Sequence, residues 1–169
     1  MATKRLFIAI NLPMELKREL FGIQKQINSQ LGEEYTNAQL FKWVAMENLH
    51  LTLKFIGEIG DSEIPKIITE TENMAKGQKP FEVKTKKICY DNGKQCPRLI
   101  WLTTNKGHIT LARIKQWVFK SIEIDERPNI NQDFEAKFLV QSIELMESVL
   151  KRTGPEYKII KSFNLKKYD

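Results

Sequence analysis

Both histidines of this chain lie in the same short pattern. The two segments read His50-Leu51-Thr52-Leu53 and His108-Ile109-Thr110-Leu111. Ten of the 169 residues are threonine, so a threonine two positions after both histidines has a chance probability of about 3 in 1,000. Imidazole can take up or release a proton near neutral pH, and a hydroxyl can donate a hydrogen bond to a phosphate oxygen. The repeated pattern therefore indicates acid–base chemistry on a phosphate.

Each motif needs an element that turns its histidine and threonine the same way. Both segments alternate between polar and apolar residues, which predicts β-strands, where residues i and i+2 share a face. The histidine and threonine of each motif would then share one face. On the opposite, core-facing side we expect Leu51, Leu53 and Phe55 in the first strand, and Ile109 and Leu111 in the second.

Two such imidazoles suit the metal-free opening of a cyclic phosphodiester. One histidine would take a proton from water, the other would protonate the leaving oxygen, and the threonines would hold the phosphate in line. A histidine packed without a catalytic role is the usual alternative for one residue, and it explains a matched pair poorly. Two histidines with no carboxylate or cysteine at ligand spacing fall short of a zinc site, so we expect no metal and no cofactor.

Length and composition are those of an ordinary globular protein. The 169 residues, 41% hydrophobic and 28% charged, predict a single domain over residues 1–169, with room for two lobes.

No apolar run approaches the roughly 20 residues of a membrane span, and the N-terminus lacks a signal-peptide cleavage site. The two cysteines, Cys89 and Cys96, predict neither a zinc site nor a disulfide. We therefore expect a cytoplasmic monomer with no membrane partner.

The net charge of +6 is unevenly distributed. Residues 76–120 carry eleven basic and two acidic side chains, and residues 151–169 carry six basic and two acidic ones. A basic surface suits a phosphate-rich partner such as RNA, although a solvated lysine-rich surface accounts for the charge equally well.

The remaining pattern predicts an α+β fold with two early helices. A buried strand over residues 5–12 precedes a helix that starts after Pro13 and stops at Gly32, and residues 33–48 form a loop with a short strand near Trp43. A second helix begins at Asp61 or Ser62 and ends at Gly77. Residues 134–150 are ambiguous, because their alternation favours a strand and their propensity a helix. The other predicted strands cover residues 50–56, 81–88, 99–103, 108–114 and 157–165.

The doubled motif and its flanks resemble the RNA 2′,3′-cyclic phosphodiesterases, once called 2′-5′ RNA ligases, a family of the 2H phosphoesterase superfamily. The resemblance covers most of the chain and implies a bilobal α+β fold of two antiparallel sheets, with helices outside and a positive central groove. It also implies that residues 134–150 are largely strand. The segments that carry it are Arg5-Leu6-Phe7-Ile8-Ala9-Ile10, Glu47 to Gly57, Pro97-Arg98-Leu99-Ile100-Trp101, His108 to Arg113, Ile143-Glu144-Leu145, Ser148, Gly154-Pro155-x-Tyr157 and Phe163.

The resemblance also implies a role for each motif residue. His50 would donate a proton to the leaving O3′, His108 would activate water, and Thr52 and Thr110 would bind the phosphate. Arg113 matches a phosphate-binding arginine of the family. Strand alternation alone puts Arg113 on the face opposite His108, so a bulge or a strand end would have to turn it.

Three aromatic residues are candidate stacking surfaces for a nucleobase. They are Phe7, Trp43 and Trp101, and core packing is the more common use of such residues.

The chain departs from the family after Trp101. In the family a helix and a longer connection separate this strand from the second motif, whereas here Thr104-Asn105-Lys106-Gly107 leaves room only for a tight turn. We therefore expect the second lobe to lack that helix.

The expected substrates are RNA ends or small cyclic nucleotides. Hydrolysis to a 2′-phosphate is the favoured reaction. Formation of a 2′-5′ linkage at the same site, or a non-catalytic RNA-binding module, are the alternatives.

Overall fold

The computed structural model describes residues 2–167, which form ten strands and four α-helices. In chain order these are β1 (Thr3–Asn11), α1 (Met14–Ser29), α2 (Glu33–Asn37), β2 (Phe41–Trp43), β3 (His50–Gly60), α3 (Ile64–Gly77), β4 (Phe81–Tyr90), β5 (Leu99–Thr104), β6 (Gly107–Ile114), α4 (Gln116–Lys120), β7 (Asn131–Asp133), β8 (Lys137–Val140), β9 (Ser142–Lys151) and β10 (Gly154–Asn164).

The chain divides into two compact units, and the first contains one histidine motif. It comprises the described residues of Met1–Asn11, His50–Val83 and Lys137–Asp169. Its strands run antiparallel in the order β10-β9-β1-β3. The central strand β1 is buried on both faces from Leu6 to Ile10. On one face, Phe7 and Ala9 pack with Met146 and Tyr157, and on the other, Ile8 lines a cleft with α3.

The second unit, Leu12–Leu49 and Lys84–Ala136, contains the other motif. Its strands are also antiparallel, in the order β2-β6-β5-β4-β7. Helix α1 belongs to this unit and buries an apolar stripe that includes Leu20. The side-chain amide of Gln24 donates hydrogen bonds to the carbonyls of Val44 and Leu111, both at 3.0 Å, which ties α1 to β6.

These elements confirm the α+β class and most of the predicted strands. Residues 134–150 are largely strand, as the resemblance implies, because Glu144 is 5% exposed and its carboxylate accepts hydrogen bonds from the Asn11 amide and the Ser142 hydroxyl. These tertiary contacts outweigh the local helical preference. The short helices α2 and α4 were not predicted, since one turn carries too weak a periodic signal.

A two-residue turn joins β5 to β6. The sequence predicted a tight turn at this point, in place of the helix that the family has. Thr104 pairs with Gly107 across the turn, and Gly107 adopts a φ of +131°. The Asn105 side chain accepts a hydrogen bond from the Lys84 amide at 2.9 Å, which anchors the turn to β4. The tight connection is therefore confirmed, and its geometry depends on a glycine.

Replacing Gly107 by alanine should destabilise the protein. A Cβ at this position meets open space, but a φ of +131° is strained for an L-residue, so we expect a loss of about 1–3 kcal/mol in the free energy of unfolding, measured in urea. Gly22→Ala is the matched control, because Gly22 lies in α1 with nothing within 4 Å of the added carbon. The control should gain about 0.5–1 kcal/mol. Equal gains for both variants would contradict the strained turn.

Candidate active site

The first unit holds His50 among aromatic rings at the start of β3. The ring centroid of His50 lies 5.1 Å from that of Phe7 and 5.0 Å from that of Tyr157. Its Nε2 atom is hydrogen-bonded to Thr52 Oγ1 at 2.9 Å. Asn11 pairs directly with His50 across the sheet. The predicted partnership of His50 and Thr52 on one strand face is thus present, and both side chains are half-buried.

The second unit holds His108 against Trp101. The two ring centroids are 4.4 Å apart, with the planes inclined by 41°. Thr110 lies directly opposite Trp101 in the β5–β6 pairing, so His108, Thr110 and Trp101 share one face of the sheet. His108 stays open to solvent on its other side.

Partial burial lowers the pKa of the His108 imidazole. Loss of hydration lowers its pKa below the ordinary value of 6.5, and the negative charge of Asp91 opposes part of that shift. The imidazole is therefore neutral at pH 7, the form that can accept a proton from water.

A β-bulge follows the first motif and overturns part of the predicted alternation. Ala9 pairs with Thr52 and Ile8 pairs with Lys54, which leaves Leu53 as the extra residue. The residues after the bulge change faces. Leu51 is fully buried as expected, but Leu53 is 40% exposed and Phe55 is 74% exposed. The prediction that these two residues face the core was therefore wrong.

A second bulge, after the second motif, turns Arg113. Ile100 pairs with Ala112 and Trp101 pairs with Thr110, so Leu111 is the extra residue. Arg113 then lies opposite Leu99, on the same face as Trp101, and its side chain is exposed. The bulge that the sequence argument required for Arg113 is present.

The two bulges occupy the same position relative to their histidines. Each extra residue comes three positions after its histidine. Each bulge brings the residue five positions after the same histidine onto the imidazole face. These residues are Phe55 in the first unit and Arg113 in the second. Sequence reasoning missed Phe55, and the identical spacing of the motifs was the signal that one bulge implies the other.

The three aromatic candidates for stacking pack within the protein. Phe7 is 3% exposed and Trp101 lies on His108. Trp43 packs edge-on against Phe41 and donates a hydrogen bond from Nε1 to Asn28 at 3.0 Å. Sequence reasoning also missed Tyr157 as a neighbour of His50, because about a hundred residues separate them.

Metal-binding clusters and membrane-spanning helices are both absent from the part of the chain that the structure describes. Within residues 2–167, no three His, Cys, Asp or Glu side chains are grouped so as to hold a metal ion. Among the same residues, no helix has the length and apolar character needed to cross a membrane.

The protonation of His108 can be measured directly. In the His50→Asn variant one histidine remains, and its proton resonances should titrate below pH 6.5 by NMR. Trp101→Leu should raise this pKa by restoring hydration. Asp91→Asn should lower it by removing the charge, while an amide oxygen can still accept the hydrogen bonds from the Arg98 and Leu99 amides. A pKa that ignores both substitutions would contradict this account.

Comparison with known proteins assigns the chain to a family. The family model described as LigT like Phosphoesterase matches residues 10–101. The RNA 2′,3′-cyclic phosphodiesterase of Methanocaldococcus jannaschii is 26% identical over 186 residues, covering 94% of this chain and 99% of that protein. The corresponding protein of Aquifex aeolicus is 25% identical over 178 residues, covering 86% and 94%.

Solved structures share the fold. A Thermus thermophilus protein superposes with a TM-score of 0.79 at 24% identity, covering 95% of this chain and 97% of its own. Escherichia coli LigT complexed with phosphate gives a TM-score of 0.72 at 21% identity, covering 99% and 100%. The family model covers more than half of the chain and ends at Trp101, just before the shortened connection. The chain therefore belongs to the LigT-like phosphoesterase family, within the 2H phosphoesterase superfamily.

Proposed function

We propose that the protein hydrolyses the 2′,3′-cyclic phosphate at the end of an RNA to a 2′-phosphate, with no metal ion. His50 is the general acid and His108 the general base. The observation that carries the proposal is the duplication of one device, a histidine and a threonine on one strand face followed by a bulge at the same position. Family membership and the names of the relatives support the reaction class.

The proposed reaction is an in-line displacement at phosphorus. Neutral His108 takes a proton from water as the water oxygen forms a bond to phosphorus. The bond from phosphorus to O3′ breaks, and His50 gives its proton to O3′. The products are a 2′-phosphate and a 3′-hydroxyl, and the two histidines return to their starting states through solvent.

The hydroxyls and the guanidinium would stabilise the negative charge that develops on the phosphate oxygens. Thr52 holds His50 Nε2 at 2.9 Å in the free protein, so the imidazole is oriented before substrate arrives. Thr110 and Arg113 share the face of His108. Positioned donors of this kind contribute more to rate than to substrate binding, because they meet the charge that forms in the transition state.

RNA as the substrate class is supported by names and by charge. The curated relatives are named RNA 2′,3′-cyclic phosphodiesterases, and one fold neighbour is Escherichia coli LigT complexed with 3′-AMP. Residues 76–120, which include the second motif, carry eleven basic and two acidic side chains. The cytoplasmic location and the monomeric state stay predictions.

Removing either imidazole should abolish most turnover. With an RNA oligonucleotide ending in a 2′,3′-cyclic phosphate and EDTA present, we expect 2′-phosphate to accumulate, identified by ³¹P NMR. His50→Ala and His108→Ala should each lower kcat by about 100- to 10,000-fold while RNA affinity changes little.

Threonine variants provide a matched control for this assay. Thr110→Ala removes a proposed phosphate ligand and should lower kcat, whereas Thr69→Ala removes an exposed hydroxyl of α3 and should not. Loss of wild-type activity in EDTA would contradict the metal-free mechanism. RNA binding without turnover by the wild type would favour the binding module, and joined 2′-5′ products would favour end joining.

The rate should depend on pH as a bell-shaped curve. The base must be neutral, so activity falls as the pH drops through the pKa of His108, which lies below 6.5. The acid must carry a proton, so activity falls again at a pH high enough to deprotonate it. Asp91→Asn should move the acid limb of kcat/KM to lower pH, and a limb unmoved by this substitution would indicate another base.

A further inference from the structure

A buried glutamine of α1 contacts the bulge that follows the second motif. Gln24 is 2% exposed, and its Nε2 atom donates hydrogen bonds to the carbonyl oxygens of Val44 and Leu111, both at 3.0 Å. Leu111 is the extra residue of the bulge, and its carbonyl also accepts a hydrogen bond from the Val44 amide at 2.9 Å. One helical side chain therefore anchors the backbone of β6 at the point where its alternation reverses.

An amide is an unfavourable side chain for so buried a position. Among residues 2–167, the Gln24 Oε1 atom is buried and has no hydrogen-bond partner, and an unsatisfied buried oxygen destabilises the folded state. Both atoms that face Nε2 are carbonyl oxygens, so exchanging Nε2 and Oε1 would leave neither of them a donor. A methionine would fill a similar space with no unsatisfied atom. The two hydrogen bonds from Nε2 are therefore what distinguishes Gln24 from an apolar side chain here.

The backbone at Leu111 decides which face of β6 presents Arg113. Regular alternation from Ile109 would turn Arg113 toward the buried side. The extra residue reverses the alternation, so that Arg113 lies on the face of His108 and is exposed. Two donors hold the Leu111 carbonyl, one from the residue directly after β2 and one from α1, and they keep this irregular backbone in one conformation.

We propose that Gln24 is a positioning residue for Arg113. By anchoring the Leu111 carbonyl, it keeps the guanidinium on the imidazole face, where that group meets the charge that develops on the phosphate. The inference rests on the proposed function, because Arg113 acts on a phosphate in that reaction. Gln24 is buried and acts through the backbone. A displacement of about 1 Å in a group at an active site can lower the rate by about 100-fold, so the anchor matters for turnover.

A double-mutant cycle between Gln24 and Arg113 tests this role. Gln24→Met keeps the length of the side chain and removes both donors. With an RNA oligonucleotide that ends in a 2′,3′-cyclic phosphate, it should lower kcat by about 10- to 100-fold and change KM by less than about 3-fold. In the Arg113→Ala background the same substitution should lower kcat by less than about 3-fold, because the group that Gln24 positions is already absent.

Thr85→Val is the matched control. Thr85 is 6% exposed, and its hydroxyl donates a hydrogen bond to the carbonyl of Phe134 at 2.7 Å and accepts one from the Ala136 amide at 2.7 Å. These bonds lie in the same unit and join β4 to the segment after β7. Both Gln24→Met and Thr85→Val should lower the urea midpoint of unfolding, whereas Thr85→Val should leave kcat unchanged in either background.

The kinetic outcomes decide the inference separately from the proposed function. An unchanged kcat in Gln24→Met, or an equal loss with and without Arg113, overturns the positioning role and leaves the phosphodiesterase standing. If the wild type turns over no cyclic phosphate, the proposed function fails. Hydrogen exchange of the Val44 amide, followed by NMR, then decides the anchor on the free protein: faster exchange in Gln24→Met than in Thr85→Val supports it, and equal exchange overturns it.

A measurement on the wild type covers the case in which Gln24→Met does not fold. The side-chain amide protons of Gln24 should exchange slowly with deuterated solvent, because both are buried and hydrogen-bonded to carbonyls. Exchange as fast as that of an exposed glutamine such as Gln26 would overturn the anchor.

Discussion

The alternation of side chains along a strand is the constraint on which both half-sites, His50 with Thr52 and His108 with Thr110, depend. It turns histidine and threonine the same way in each motif, and it would also turn Arg113 toward the buried side with Ile109. One extra residue directly after each motif reverses the alternation, so that the residue five positions after each histidine joins the imidazole face. The extra residues that follow the motifs are Leu53 and Leu111, and the strand pairing resumes on either side of them.

Aromatic packing gives the two imidazoles different surroundings. His50 lies near Phe7 and Tyr157 and is hydrogen-bonded to a hydroxyl, so its ring is held from several sides. His108 contacts Trp101 while its other side meets solvent, and the loss of hydration lowers its pKa. The proposed acid–base reaction needs one protonated and one neutral group at the same pH, and unequal surroundings are a way for identical side chains to fill two such roles.

The sequence was sufficient for the motifs, the strands that carry them and the tight turn at Asn105, because each depends on local spacing or turn chemistry. It was insufficient where distant partners decide. Leu53 fits a buried strand position by type, and only its pairing with β1 makes it the extra residue of a bulge. Glu144 favours a helix locally. Its buried carboxylate nevertheless accepts a hydrogen bond from the backbone amide of Asn11, more than a hundred residues away in the sequence. The error at Leu53 and the ambiguity over residues 134–150 both arose where tertiary pairing outweighs residue type.

The two-residue turn between β5 and β6 also bears on the order of folding. Because Trp101 and His108 are seven positions apart, the second half-site closes a very short loop when it forms, and the entropic cost of loop closure grows with loop length. The first half-site joins β1 to β3, some forty residues later, and needs Tyr157 from near the end of the chain. Contacts between close neighbours in sequence form fastest. The shortened connection therefore allows one half of the candidate site to assemble during synthesis, while the other half waits for β10.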